Sequence, residues 1–153
     1  MSQMSVKIEA ISTKHLDRLH EIEIKCFEKE AFTKQQIAYL LTDYNSTGFI
    51  AKLNDEIVGF VIGKIHRGKK SATGHVLTID VSPEHRRKGV GLRLLQEIER
   101  IFKSEGVRVC FLEAREDNIA GLSLYQKFGY GKVERLENYY GNAHGVRLRK
   151  TLT

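Results

Sequence analysis

The segment Thr78-Ile79-Asp80-Val81-Ser82-Pro83-Glu84-His85-Arg86-Arg87-Lys88-Gly89-Val90-Gly91-Leu92 constrains the fold more than any other part of the chain. An apolar strand (Val76, Leu77, Ile79, Val81) runs into a basic, glycine-containing turn. Leu92, Leu94, Leu95, Ile98, Ile101 and Phe102 then follow at helical spacing. Strand, glycine turn and helix in that order make a cradle for a pyrophosphate. Gly89 and Gly91 let backbone approach a ligand, and the free N–H groups of the helix start point at it with the helix dipole behind them. Arg86, Arg87 and Lys88 add positive charge at the same place.

The remaining elements fall on both sides of this unit. Val6 to Ile11 alternates as a strand, and Leu16, Leu19, Ile22 and Cys26 recur at helical spacing. Thr33 with Gln36 forms a capping box that opens a second helix through Ile37, Leu40 and Leu41. Strands at 49–53 and 57–62 flank Asn54 and Asp55, a hairpin signal, and a basic loop at 67–73 leads to a strand at about 74–82. A helix over about 90–104, a strand from Val107 to Arg115 and a helix opening at Asn118 follow; Ile119, Leu122, Tyr125 and Phe128 share one side of that helix, and Gly129 stops it. Strands at about 130–137 and 145–152 complete the order β-α-α-β-β-β-α-β-α-β-β. With one proline, short connections and no repeat, the expectation is a single α/β domain over 1–153 with a mixed sheet.

Composition narrows the partners. A net charge of +6 implies an anionic ligand, which a nucleotide-like cofactor would satisfy without nucleic acid. No run of about 18 apolar residues is present, so a cytoplasmic protein without a membrane anchor is expected. Cys26 and Cys110 form no C-x-x-C pair and read as reduced, packed thiols rather than a disulfide or metal site. His75 and His144 have no nucleophile partner at a motif spacing and read as structural or surface residues.

With this element order and Arg86-Arg87-Lys88-Gly89-Val90-Gly91, the chain resembles the GCN5-related N-acetyltransferases (GNAT) along essentially its whole length. Leu112-Glu113-Ala114-Arg115, Asn118 and Leu124-Tyr125-Gln126-Lys127-Phe128-Gly129-Tyr130 look like that family's downstream strand and helix. Glu137-Asn138-Tyr139-Tyr140 is similar to the substrate-side segment of protein N-terminal acetyltransferases, both those acting on a ribosomal-protein alanine and the archaeal type. The resemblance implies about seven strands flanked by about four helices, with a V-shaped splay between the fourth and fifth strands. It implies acetyl-CoA as cosubstrate and no metal. Ile79, Asp80 and Val81 would meet the pantetheine and acetyl group, Arg86, Arg87, Lys88, Gly89, Val90, Gly91 and Leu92 the pyrophosphate, and Asn118 the cofactor from its helix head, unless it is a plain N-cap. Glu30 and Phe32, with Glu28 and Tyr39 nearby, would form one wall for a peptide, and Tyr139 and Tyr140 would close over it. The chain lacks a proline that the family often carries near the first helices, and Asn142-Ala143-His144-Gly145 replaces acidic residues common before the last strand.

Moving an acetyl group from a thioester to an amine needs a base, an oxyanion site and a proton for the thiolate. On this resemblance Glu113 is the base through a water, the Val81 N–H holds the oxyanion, and Tyr125 is the acid. Alternation puts Glu113 in line with Val109 and Phe111, and partial burial would raise its pKa. An α-amino group with pKa about 7.7 to 8 is roughly one-fifth neutral near pH 7, against about one lysine in a thousand or fewer. A carboxylate base therefore suits the α-amine of a protein N-terminus, such as that of a ribosomal protein. Acetylation of lysine or a polyamine is the alternative within enzymes, and a CoA- or RNA-binding module without catalysis is the alternative outside them.

Overall fold

A computed structural model of the chain describes residues 5–152. Seven strands form one sheet: β1 (Val6–Ala10), β2 (Ser46–Leu53), β3 (Glu56–Arg67), β4 (Ala72–Val81), β5 (Val107–Arg115), β6 (Gly131–Leu136) and β7 (Gly145–Thr151). Their order across the sheet is β1-β2-β3-β4-β5-β7-β6. β4 and β5 run parallel, and the other neighbours run antiparallel. Among the described residues the α-helices are α1 (Leu16–Phe27), α2 (Lys34–Thr42), α3 (Val90–Ser104) and α4 (Ile119–Lys127).

Local chemistry accounts for most of these boundaries. Asn54 and Asp55 both take positive φ (51° and 65°), the two-residue turn whose twist matches an antiparallel pair. Thr33 and Gln36 make the reciprocal capping box that opens α2. The loop expected at 67–73 is shorter: Arg67 already pairs with Ala72, and the Gly68 N–H donates to the Ser71 carbonyl at 2.9 Å.

Both faces of the sheet are covered, which is why β2 and β3 carry nearly continuous apolar runs. On one side α3 lays down Leu94, Leu95, Ile98 and Phe102, all fully buried. The Phe102 ring lies in a slot floored by Gly63 and Gly74, where an added Cβ would come within 2.7 and 2.6 Å of it. On the other side Leu19, Ile22, Ile37 and Leu40 of α1 and α2 pack on Ile50, Phe60 and Ile62. Ile119 departs from expectation. In the first turn of α4 it is 72% exposed, lining a surface depression with Leu122, Ser123 and Gln126 rather than the core.

Candidate active site

The parallel pair holds together only along its first half. Its register runs from Ala72 opposite Val107 to Val76 opposite Leu112 and goes no further. Beyond that point β4 stays on β3, with Thr78 to Val81 paired against Ile62 to Gly59, while Glu113 to Arg115 stay on β7. Each strand is held from its outer side, so the facing edges part. A shift in the β3/β4 register between Ile62 and Gly63, which skips Leu77, bends β4 where the parting begins. The Ser82 N–H donates to the Val58 carbonyl at 2.8 Å, and alternation along the strand therefore turns the Val81 N–H toward the parted edge.

The glycine turn closes one end of this opening. After a 3-10 turn at Pro83–His85, Arg87 (φ 63°) and Gly89 (φ 80°) sit in the left-handed region and turn the chain into α3. No side chain caps that helix, and a Cβ at Gly89 would meet nothing within 4 Å. The first N–H groups of α3 thus face an open space, the geometry that holds phosphate oxygens. At Gly91 a Cβ would press on Leu124 at 3.3 Å, so this glycine lets α3 approach α4. Arg87 and Lys88 have no ion-pair partner among the described residues, whereas the Arg86 guanidinium turns back to donate to the Val81 carbonyl at 3.1 Å. Asn118 acts as the N-cap of α4, its Oδ1 accepting from the Gly121 N–H at 3.0 Å, which leaves its Nδ2 for a ligand.

At the mouth of the opening Glu113 meets two partners that its sequence neighbourhood does not reveal. His75 Nε2 lies 2.6 Å from its Oε1, and Arg147 Nε donates to its Oε2 at 3.1 Å. The pairing with Arg115 open to a strand-end glutamate does not occur, since Arg115 bonds Asp117 and Glu30. Glu113 shares a face of β5 with Val109 and Phe111, as alternation requires; the buried row Cys110, Leu112 and Ala114 lies on the other face, and Glu113 is on the side of β4's His75. The expected rise in its pKa is also reversed. Burial pushes the carboxyl up, but the His75 hydrogen bond and charge, with Arg147, outweigh burial and hold it below the ordinary glutamate value. A carboxylate only accepts, so the Nε2–H of His75 donates to Glu113, and Nδ1 is the ring nitrogen not used in that contact. His75 is the functional candidate that the sequence reading left as structural. Its signal is a histidine paired directly with β5's Phe111, two residues before Glu113.

Tyr125 is buried in α4, edge-on to Tyr130 at 6.5 Å between centroids. Burial first, then the nearby Asp80 and Tyr140, push its phenol well above the ordinary tyrosine value, so it stays protonated but is less well matched to a thiolate than a free phenol. Cys26 is no nucleophile. Burial and Asp80 push its thiol up to about 11, and it donates to the Val81 carbonyl at 3.4 Å.

The opposite wall comes from two loops. Glu30 is spanned to Arg115 of β5 at 2.5 Å, and the Phe32 N–H donates to Glu23 at 3.0 Å. From the β6–β7 loop, Tyr139 and Tyr140 stand edge to face at 4.9 Å and 84°. Gly145 is required beneath them, because a Cβ there would come within 3.0 Å of Tyr140 and 3.2 Å of Tyr139. His144 braces the same loop by accepting the Asn138 N–H at 3.0 Å. A cavity of about 690 Å³ lies beside His75, lined also by Phe32, Gln36, Tyr39, Lys64 and Leu77. Among the described residues no helix is long and apolar enough to cross a membrane, and no group of three or more His, Cys, Asp or Glu side chains is placed to hold a metal ion.

The model of the acetyltransferase (GNAT) family matches residues 16–130, three quarters of the chain. The chain belongs to this family. As a GNAT enzyme it is an acyltransferase, and its parted β4 and β5 are the splay that the sequence resemblance implied. It is 32% identical over 120 residues to an N-alpha-acetyltransferase of Sulfurisphaera tokodaii, covering 71% of this chain and 70% of the relative. Among solved structures it is similar to the ribosomal-protein-S18-alanine N-acetyltransferase from Escherichia coli (TM-score 0.83, 20% identity, 97% of this chain and 95% of the other). It is also similar to Arabidopsis thaliana NAA60 in complex with acetyl-CoA (TM-score 0.85, 18% identity, 97% and 99%).

Proposed function

We propose that this GNAT enzyme transfers the acetyl group of acetyl-CoA directly to the α-amine of a protein N-terminus, in a ternary complex and in the cytoplasm. The observation that carries the reading is the parted edge between Thr78–Val81 and Glu113–Arg115, with the His75–Glu113 pair at its mouth. An extended pantetheine arm pairs there as an inserted strand would, with Ile79, Asp80 and Val81 contributing backbone. Arg87, Lys88, the backbone of Arg86 and the turn from Gly89 to Leu92 take the pyrophosphate, joined by Asn118. No metal takes part. The acceptor peptide lies between Glu30 and Phe32 on one side and Tyr139 and Tyr140 on the other. A ribosomal protein is one candidate acceptor, given the relatives named above.

His75 Nδ1, or Glu113 through a water, takes the proton of the attacking amine, and the charge of Glu113 stabilises the imidazolium that forms. The Val81 N–H meets the developing oxyanion. Tyr125 donates a hydrogen bond to the departing sulfur. Because the phenol is held well above its ordinary value, that bond stabilises the thiolate more than it transfers a full proton. Tyr125→Phe is therefore expected to lower kcat about 10²-fold, the low end for a general acid, with acetyl-CoA KM nearly unchanged; an intact turnover rate removes Tyr125 from the reaction.

The pH dependence has a definite sign. Glu113 is held below the ordinary carboxylate value, so it is charged throughout the neutral range and loses activity only in acid below that value. Between pH 6 and about 8, kcat/KM is expected to rise with the neutral fraction of the α-amine. A second limb assigned to Glu113 in the neutral range, abolished by Glu113→Gln, would contradict this. The deciding experiment supplies labelled acetyl-CoA with N-terminal peptides, lysine peptides with blocked N-termini, and polyamines. Transfer to the N-terminal peptides is expected; transfer confined to lysine or polyamine transfers the reading to that class, and binding of RNA without CoA favours a module without catalysis.

A further inference from the structure

Three polar side chains are buried together between α1 and β4: Glu23 at 2% exposure, Thr78 at 6% and Asp80 at 1%. The register shift that skips Leu77 brings Thr78 and Asp80 to the α1 side. Thr78 Oγ1 lies 2.9 Å from Glu23 Oε1 and 2.6 Å from Asp80 Oδ1. A hydroxyl has one hydrogen. It serves one of these contacts, so a carboxyl must supply the hydrogen for the other.

The surroundings decide which carboxyl does so. Glu23 accepts at both oxygens, from Thr78 and, at Oε2, from the Phe32 N–H at 3.0 Å. Asp80 Oδ2 is buried with no hydrogen-bond partner among the described residues, a costly place for a charged oxygen and a far cheaper one for the carbonyl of a neutral acid. The hydrogens therefore run from Asp80 to Thr78 and from Thr78 to Glu23, and the chain ends on the Phe32 amide. Around Asp80 stand Glu23 and Cys26 of α1, Arg86 of the glycine turn and Tyr125 of α4, with apolar Phe60 opposite on β3. Burial and Glu23 push the acid up; Thr78 and Arg86 oppose them and do not prevail.

We propose that Asp80 is a positioning residue that works as a neutral carboxylic acid: through Thr78 and Glu23 it holds Phe32, and with it the acceptor wall, in register with the strand that carries the thioester. This assignment rests on the acetyl-transfer reading for its kinetic consequence but not for its protonation.

Stability tests the protonation without any assay of activity. A carboxyl raised in the folded state binds a proton that the unfolded chain has lost, so its contribution falls as pH rises from the ordinary aspartate value toward the folded one. Across that window the folding equilibrium of the unaltered chain should fall about tenfold per pH unit relative to Asp80→Asn, which keeps a donor and cannot ionise. Parallel pH profiles of the two chains would overturn the proposal. Kinetics test the positioning. Asp80→Ala is expected to raise the acceptor KM about tenfold without the same rise for acetyl-CoA, and Asp80→Asn to restore it. An equal change in both KM values, or no restoration by Asn, rejects the positioning role. If Asp80→Ala does not fold, the Asp80→Asn stability profile still decides the protonation, and Thr78→Val replaces it in the kinetic arm with the same expected rise. Absence of acetyl transfer to every amine defeats the functional reading and leaves the stability result standing.

Discussion

Glu113→Gln is expected to lower kcat about 10²- to 10⁴-fold, the range for removing a positioned base. Gln keeps the shape and an oxygen for the His75 Nε2–H, so the ring stays in place. What disappears is the charge. An imidazole that takes the amine's proton then has no anion 2.6 Å away to stabilise it. The amide also presents an N–H toward Arg147, which itself donates at 3.1 Å, so a stability loss of about 1 to 3 kcal/mol accompanies the kinetic loss. Steady-state kinetics over pH and a denaturant titration separate the two effects. The acetyl-CoA KM should change little, because the proposed reading places the cofactor on the turn and the parted edge, away from this carboxylate. An unchanged kcat would take both Glu113 and the His75 pair out of the reaction.

Phe102→Ala is expected to cost about 3 to 5 kcal/mol, at the upper end of that range. Phe102 is fully buried, and its ring fills the slot over Gly63 and Gly74. Two glycines have no side chains with which to close the gap, so the cavity stays open and the lost contacts are not replaced. For a chain of this size the midpoint temperature should fall by about 10 °C, taking about 2 to 4 °C per kcal/mol. Urea denaturation with an unchanged slope is the check. A loss under about 1 kcal/mol would mean that the core relaxes into the space and that the slot is not what holds α3 on β3 and β4.

The elements were legible because their causes are local. The apolar spacing of Leu94, Ile98 and Phe102, the Thr33–Gln36 box, the Asn54-Asp55 turn and the strand Val107–Arg115 each depend on residues within a few positions of one another. The glycine turn was legible for the same reason, since positive φ at Gly89 and an uncapped helix start are properties of a short segment. The partners of the reactive groups were not. His75 and Glu113 are 38 residues apart and Glu23 and Thr78 are 55 apart. The contacts of the Arg86 guanidinium with the Val81 carbonyl and the Cys26 thiol are likewise invisible in the basic run, since Cys26 lies 60 residues away.

The order of strands and helices, the glycine turn with its uncapped helix start, and the family were therefore properties of the chain as written. The pairing of Glu113 with His75 and Arg147, and the joint burial of Glu23, Thr78 and Asp80, were decided by tertiary structure. The reason is register. Which side chains face one another across a sheet changes completely with a shift of one residue, and the skipped position at Leu77 in β4 is such a shift; its effect on burial and charge exists only once the strands have paired.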